Sequence, residues 1–172
     1  RFYNIPPNRI RVIPYPTPRF ALEGMNTETT NVARRSGIPG DYLFYPAQFW
    51  AHKNHINLLY SLKLLHEEYN IKLSLILVGS DKGNLTHVQK VIAELGLSGY
   101  VHILGFVDRD DIVDLYKNAL ALTFVSFFGP DNLPPLEAFA LGCPVIAARI
   151  PGAEEQLGDA ALLVDPKRPE EI

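Results

Sequence analysis

The chain has 172 residues, 47% of them hydrophobic and 20% charged, enough apolar material for one packed domain. Its 16 basic and 19 acidic residues leave a net charge of −3 with no basic stripe, which argues against nucleic acid as a partner. The single cysteine, Cys143, excludes an internal disulfide framework and reads as a buried small hydrophobe, and no apolar run approaches the roughly 20 residues of a membrane-spanning helix.

The opening "NIPPNRIRVIPYPTPRF" carries many of the 14 prolines. Charged and apolar residues alternate over 9–13, which predicts one short strand. Pro14, Pro16 and Pro18 then force an extended path. "NTETTNVARRSGIPGD" reads as a mobile or weakly helical surface segment. Residues 1–40 are thus expected to be an inter-domain linker and irregular N-terminal segment. Residue 1 is Arg, no signal peptide opens the chain, and "PKRPEEI" at the end reads as a helix just starting. The expectation is a piece of a longer protein, with 41–172 as a domain truncated at its C-terminus.

From residue 41 the pattern is regular. "YLFYPA" predicts a strand. A helix follows over 52–69, with Ile56, Leu59, Leu62 and Leu65 on one face. "KLSLILVG" is apolar enough for a strand buried on both sides. "LTHVQKVIAELGL" predicts a helix closed by Gly96, and "YVHILGFV" a third strand. "DRDDIVDLYKNA" predicts a helix with Asp108 as N-cap and acids at the positive end of its dipole. "LALTFVS" is a fourth strand, 134–141 a short helix, "CPVIAA" a fifth strand, 153–157 another short helix, and "AALLVD" a sixth strand. Strictly alternating strands and helices predict an α/β fold, a Rossmann-like open parallel sheet of about six strands with helices on both faces. In such sheets ligands bind beyond the carboxyl ends of the strands, near the point where the topology reverses.

Two loops there offer chemistry. In "SFFGPDNLPPLEAFALGCPVIA" a helix begins at a pair of prolines, leaving Leu133, Leu136 and Glu137 as amide donors at a mouth suited to phosphate. Glu137 would repel phosphate, so it reads either as an acceptor for vicinal ribose hydroxyls or as an acid that complements the helix dipole. In "AQFWAHKNH", Lys53 at a helix start reads either as an anion partner or as a solvated surface lysine. His52 and His55 lack a third ligand for a metal. The backbone of "GFVDRDD" reads either as the floor of a base pocket or as an ordinary capped turn. No G-x-G-x-x-G, Walker-type glycine loop or G-x-S-x-G occurs, which removes the best evidence for dinucleotide redox, P-loop and serine-hydrolase chemistry.

Together these segments resemble the C-terminal, nucleotide-sugar-binding half of the retaining GT-B glycosyltransferases, the glycosyltransferases group 1 family, over residues 9–165. "SFFGPDNLPPLEAFALGCPVIAA" aligns without a gap to the family pattern S-x-x-E-G-F-G-L-P-x-L-E-A-x-A-x-G-x-P-V-I-A, and "LILVGSD", "LGLSGYVHILGFVDRDDIVDLYKNA" and "GDAALLVDP" follow the family's other landmarks in order. The resemblance implies that Glu137 binds the donor ribose, that Leu133, Pro134 and Leu136 form the mouth holding diphosphate and sugar, that Lys53 pairs with the diphosphate, and that Phe106 and Val107 pack against the base. Lys53 and Glu137 are the residues it ties to catalysis. Gln48 stands where the family has a phosphate-clamping arginine, and Gly129 where it has the first glutamate of a pair; Asp131 or Asn132 would take over the contact to the sugar. The implied reaction transfers a sugar from a nucleotide diphosphate sugar to an acceptor hydroxyl with retention, without cofactor or metal. The acceptor, a glycan, lipid or small molecule, would bind through an N-terminal domain, leaving this piece alone nearly inactive. The expected location is cytoplasmic, with peripheral association at the inner membrane face. Two alternatives stand beside it: a GT-B epimerase, and a non-catalytic nucleotide-sugar-binding module, the reading that Gln48 and Gly129 favour.

Overall fold

The computed structural model describes residues 5–11, 13–129 and 132–172. A 3-10 turn, Pro7–Arg9, is followed by α1 (Arg19–Gly24) and α2 (Val32–Arg35), then β1 (Tyr42–Pro46), a second 3-10 turn (Ala51–Lys53) and α3 (His55–Glu67). The rest alternates: β2 (Ser74–Val78), α4 (Leu85–Glu94), β3 (Val101–Gly105), α5 (Arg109–Asn118), β4 (Ala121–Phe124), α6 (Leu133–Ala140), β5 (Val145–Ala148), α7 (Ala153–Leu157) and β6 (Leu162–Val164).

All six strands pair in parallel, in the order β3-β2-β1-β4-β5-β6. The order reverses between β1 and β4. Right-handed crossovers to either side of β1 put helices on both faces: α3 packs with α4, and α1 and α2 pack with α5, as α1 does with α6. The central strands are buried along their length, Phe44, Tyr45, Leu75, Ile76 and Leu122 with at most 1% exposure, as strands covered on both faces must be. The predicted α/β fold is the one observed. Asp108 caps α5 as expected, accepting from the Asp111 amide at 2.9 Å.

The N-terminal region departs from expectation. The strand predicted over 9–13 does not form at its described positions: Pro6 and Pro7 start a turn that takes up Arg9, and Ile10, Arg11 and Ile13 join no strand. Residues 19–40 hold α1 and α2 against the domain, and α2 lies in the segment read as mobile or weakly helical. The buried carboxylate of Asp114 on α5 accepts the amides of Thr30, Asn31 (2.8 Å) and Val32 (2.7 Å), satisfying orphan donors at the start of α2. Lys117, one turn further on, donates to the carbonyls of Gly24 (3.2 Å), Met25 (3.0 Å) and Thr27 (2.6 Å). An acid and a base on one helix thus fasten the segment that precedes β1.

Candidate functional site

The loops after β1 and β4 meet at the reversal. Beyond β1 the chain stays paired with the end of β2: the Ala47 amide donates to Val78 (2.8 Å) and the Phe49 amide to Ser80 (3.0 Å). Gly79 makes this approach possible, since at φ 157° a Cβ there would collide with the backbone of Ala47 and Gln48. Gln48 is exposed, and its side-chain oxygen accepts from the Trp50 indole at 3.0 Å.

The helix expected over 52–69 is interrupted. Ala51–Lys53 forms a 3-10 turn, Asn54 takes the left-handed conformation (φ 60°, ψ 32°), and α3 starts at His55. Lys53 therefore precedes the helix rather than opening it. Its ammonium lies 5.2 Å from the centre of the Phe124 ring at the end of β4, and partial burial lowers its pKa. Among the described residues no carboxylate forms an ion pair with it. It is a half-buried cation against an aromatic face.

Asn54, which sequence reasoning passed over, joins three strands' loops. Its buried side-chain amide donates to Val125 O (3.0 Å) after β4 and to Pro166 O (2.7 Å) after β6, while its backbone belongs to the loop after β1. Asn57 adds a second donor to Pro166 O at 2.9 Å. The Phe127 amide donates to His52 O (2.9 Å), and the Ser126 hydroxyl donates to Phe128 O (2.7 Å). The only signal in the sequence is that asparagine tolerates a left-handed backbone better than other non-glycine residues. His52 and His55 go separate ways. His52 stacks on Phe128 (4.4 Å), and His55 is buried between Phe49 (4.7 Å) and Tyr45 (5.1 Å). Its ring nitrogens approach the Ala47 backbone without a hydrogen bond of normal geometry, and burial pushes the imidazole pKa down to about 4.

On the β4 side, α6 starts one residue earlier than predicted, at Leu133. The first four amides of a helix are the orphans; here two belong to prolines, so Leu133 and Leu136 are the donors at the mouth. Glu137 is the fifth residue, its amide inside the helical ladder, which corrects the expectation that it is a third donor. Its carboxylate is half-buried and accepts from the Tyr116 hydroxyl at 2.7 Å. Burial raises the Glu137 pKa, and the Tyr116 hydrogen bond opposes that rise. One oxygen is thus held from below by a buried phenol. Asn132 caps the mouth: its carbonyl accepts from the Gln156 side chain (3.0 Å), but its side-chain oxygen is buried without a partner among the described residues. That oxygen would lie 2.5 Å from a Cβ built on Gly129, so the Asn132 amide fills the space a side chain at 129 would enter. Asp131 lies outside the described residues.

Phe106 and Val107 follow β3, two strands from β1 on the far side of β2. The Phe106 ring is 88% exposed, and Val107 packs on the core. A cavity of about 690 Å³ opens beyond β4, β5 and β6, lined by Phe127, Arg149, Ile150, Pro151, Asp165, Pro166 and Lys167. None of the residues singled out from sequence lines it.

Comparison with known proteins adds the rest. The sequence profile of the family described as Glycosyl transferases group 1 matches residues 29–172. The chain is 33% identical over 126 residues to "O-antigen chain mannosyltransferase B" of Escherichia coli, covering 73% of this chain and 33% of that protein. It is similar in structure to WaaG, a glycosyltransferase involved in lipopolysaccharide biosynthesis, with a TM-score of 0.79 at 19% identity over 99% of this chain and 48% of the other. It is also similar to Anabaena Alr3699/HepE in complex with UDP and glucose, with a TM-score of 0.76 at 21% identity over 87% of this chain and 42% of the other. This chain therefore spans a third to a half of the length of these proteins. Among its described residues no helix is long and apolar enough to cross a membrane. The chain belongs to the Glycosyl transferases group 1 family.

Proposed function

We propose that this chain is the donor-binding half of a glycosyltransferase that moves a sugar from a nucleotide diphosphate sugar to an acceptor hydroxyl, with retention at the anomeric carbon. The observation that carries this is Lys53: a half-buried ammonium over Phe124, where the strand order reverses, with no carboxylate pairing it among the described residues. A desolvated cation in that position is matched by an anion. The α6 mouth supplies the Leu133 and Leu136 amides and the positive end of the helix dipole to the same anion.

In this reading the base lies toward Phe106 and Val107, the ribose hydroxyls on the free oxygen of Glu137, and the diphosphate between Lys53 and α6. Asn132 and Gly129 border the sugar, with the unpartnered Asn132 oxygen as acceptor for a sugar hydroxyl. Asp131 and Pro134 belong to the same lining. Transfer breaks the bond between the anomeric carbon and the diphosphate and forms one to the acceptor oxygen, whose proton passes to the departing phosphate. Charge gathers on the departing phosphate, so preorganised Lys53 and amide donors lower the barrier without a metal or cofactor. The relatives' names suggest a mannosyl donor and a saccharide acceptor. The acceptor, and the activity of the whole protein, involve residues beyond this chain, which spans a third to a half of the length of these relatives.

Calorimetric titration of the chain with UDP, GDP and ADP, and then with their sugars, tests the reading. Saturable binding of one nucleotide, lost in Lys53→Ala and weakened in Glu137→Gln, is the expected result. Unchanged binding in both variants would dismiss the site. Gln48 supports a second reading, binding without transfer: its amide is tied to Trp50 and is neutral where a guanidinium would clamp phosphate. Product analysis on the full-length protein separates transfer, epimerisation and binding alone.

A further inference from the structure

Tyr116 on α5 is fully buried, its ring edge-on to Phe44 of β1 with 4.9 Å between centroids. A phenylalanine would fill that space with no polar atom to satisfy. The hydroxyl instead crosses to α6 and donates to Glu137 Oε2 at 2.7 Å, the length of a hydroxyl bonded to an ionised carboxylate. Burial pushes the Tyr116 phenol well above its ordinary range, so the proton stays on the tyrosine and the hydroxyl is the donor. Among the described residues no cation pairs with Glu137.

A glutamate carboxylate turns broadly about its last torsion, and an oxygen fixed on Tyr116 stops that rotation. The ring that carries the hydroxyl has little freedom of its own. It is packed between β1 and α5, and the Tyr42 hydroxyl of β1 donates to the carbonyl of neighbouring Leu115 at 2.9 Å. Oε2 is thus tethered to the middle of the sheet through Tyr116 and Phe44. Oε1 keeps both lone pairs, enough for two vicinal hydroxyls. Burial disfavours the ionised carboxylate, and the Tyr116 bond opposes that penalty, so the group stays an acceptor.

We infer that Tyr116 is a positioning residue for the donor ribose, holding Glu137 by one oxygen so that the other accepts the vicinal hydroxyls. This rests on the donor reading above. Calorimetry compares UDP, GDP and ADP with their dideoxyribose analogues in the wild-type chain and in Tyr116→Phe, Glu137→Gln and Tyr42→Phe. Tyr42→Phe is the structural control, since it removes a buried phenol bond to α5 without touching Glu137. The wild-type chain should bind one ribonucleotide about tenfold or more tighter than its dideoxy analogue. Tyr116→Phe should cut that preference by roughly threefold to tenfold, the range of one hydrogen bond to a charged group, and leave the affinity of the analogue unchanged. Tyr42→Phe should keep the preference, and Tyr116→Phe added to Glu137→Gln should change it little further. An equal loss for ribonucleotide and analogue in Tyr116→Phe would show a structural role only and overturn the inference. So would a preference intact in Tyr116→Phe but lost in Glu137→Gln. A preference that survives Glu137→Gln, or no nucleotide binding at all, would bring down the donor reading and the inference with it.

Discussion

Asn54 offers the sharpest test of how the site is assembled. Its side-chain amide makes two hydrogen bonds, to Val125 O (3.0 Å) and Pro166 O (2.7 Å), from a left-handed backbone. Replacing it with glycine removes both bonds but suits the backbone. Pro166 O keeps Asn57 as donor, whereas Val125 O loses its side-chain partner. Two buried bonds at about 1 kcal/mol each give a cost of about 2 kcal/mol. Alanine loses the same bonds and adds a left-handed Cβ, a further 1–2 kcal/mol or so, for a total of about 3–4 kcal/mol. Aspartate carries no donor and would turn a carboxylate toward two carbonyl oxygens, making it the worst of the three. Urea unfolding of the three variants, with m-values compared to confirm two-state behaviour, gives the order glycine, alanine, aspartate in increasing destabilisation. Equal stability of the glycine and alanine variants would refute the backbone argument. A loss below about 0.5 kcal/mol for alanine would refute the whole account.

Three further outcomes follow from the same geometry. Asp114→Ala strips three backbone amides of a charged acceptor and should cost about 3–5 kcal/mol, with residues 25–40 becoming the first site of limited proteolysis. Gly129→Ala pushes its Cβ toward the movable end of Asn132 (2.5 Å), so stability should change by about 0.5 kcal/mol or less, while nucleotide-sugar affinity falls and free-nucleotide affinity holds; Asn132→Gly in the same chain should abolish that selective effect. His55 titrates at about 4 when folded against 6.5 in the reference state. The unfolded chain thus takes up the proton first, and stability drops as pH falls from 6.5 toward 4, by about 3 kcal/mol in all. Glu137, with its raised pKa, acts in the opposite sense, favouring the native state at low pH and losing that contribution as pH rises through its folded value. His55→Phe should flatten the acid limb by one proton's worth in chemical unfolding followed against pH; an unchanged slope would refute the assignment.

The sheet was legible because its strands are apolar runs separated by amphipathic helices, and their burial on both faces follows from that pattern. The six strands and the Asp108 cap emerge within a few residues of the sequence expectation. The strand expected over 9–13 fails because Pro6 and Pro7 start a turn that takes up Arg9. What fastens 19–40 is non-local: Asp114 and Lys117, more than eighty positions away, bind the amides of Asn31 and Val32 and the carbonyls of Gly24 and Met25. The break before α3 misread for a related reason. Helical periodicity continues through 52–69, but Asn54 gives up helical dihedrals to reach two carbonyls on other loops, a trade visible only when those loops are in place.

The same distinction runs through the site. Lys53 stood out because a cation at the start of a helix opposes the helix dipole, and Glu137 because it matches the family pattern. Tyr116 did not, because a tyrosine in an amphipathic helix is an ordinary core residue until its hydroxyl meets a carboxylate twenty-one positions on. Gly129 and Asn132 illustrate the limit most clearly. Against the family pattern each is a departure in which a charged side chain is lost and a small residue gains an amide. Side by side they are one change. The Asn132 oxygen lies 2.5 Å from where the Cβ of a residue at 129 would be, so a side chain at 129 and the present Asn132 rotamer exclude each other. In the proposed donor site, the family's glutamate would offer a charged acceptor where this chain has the neutral Asn132 amide beside position 129. A carboxylate accepts strong hydrogen bonds from sugar hydroxyls, whereas an amide both accepts and donates more weakly. The prediction is therefore a donor site with weaker grip on the sugar but no loss of grip on the nucleotide. That is the split that separate titrations of nucleotide and nucleotide sugar into the Gly129 and Asn132 variants would measure.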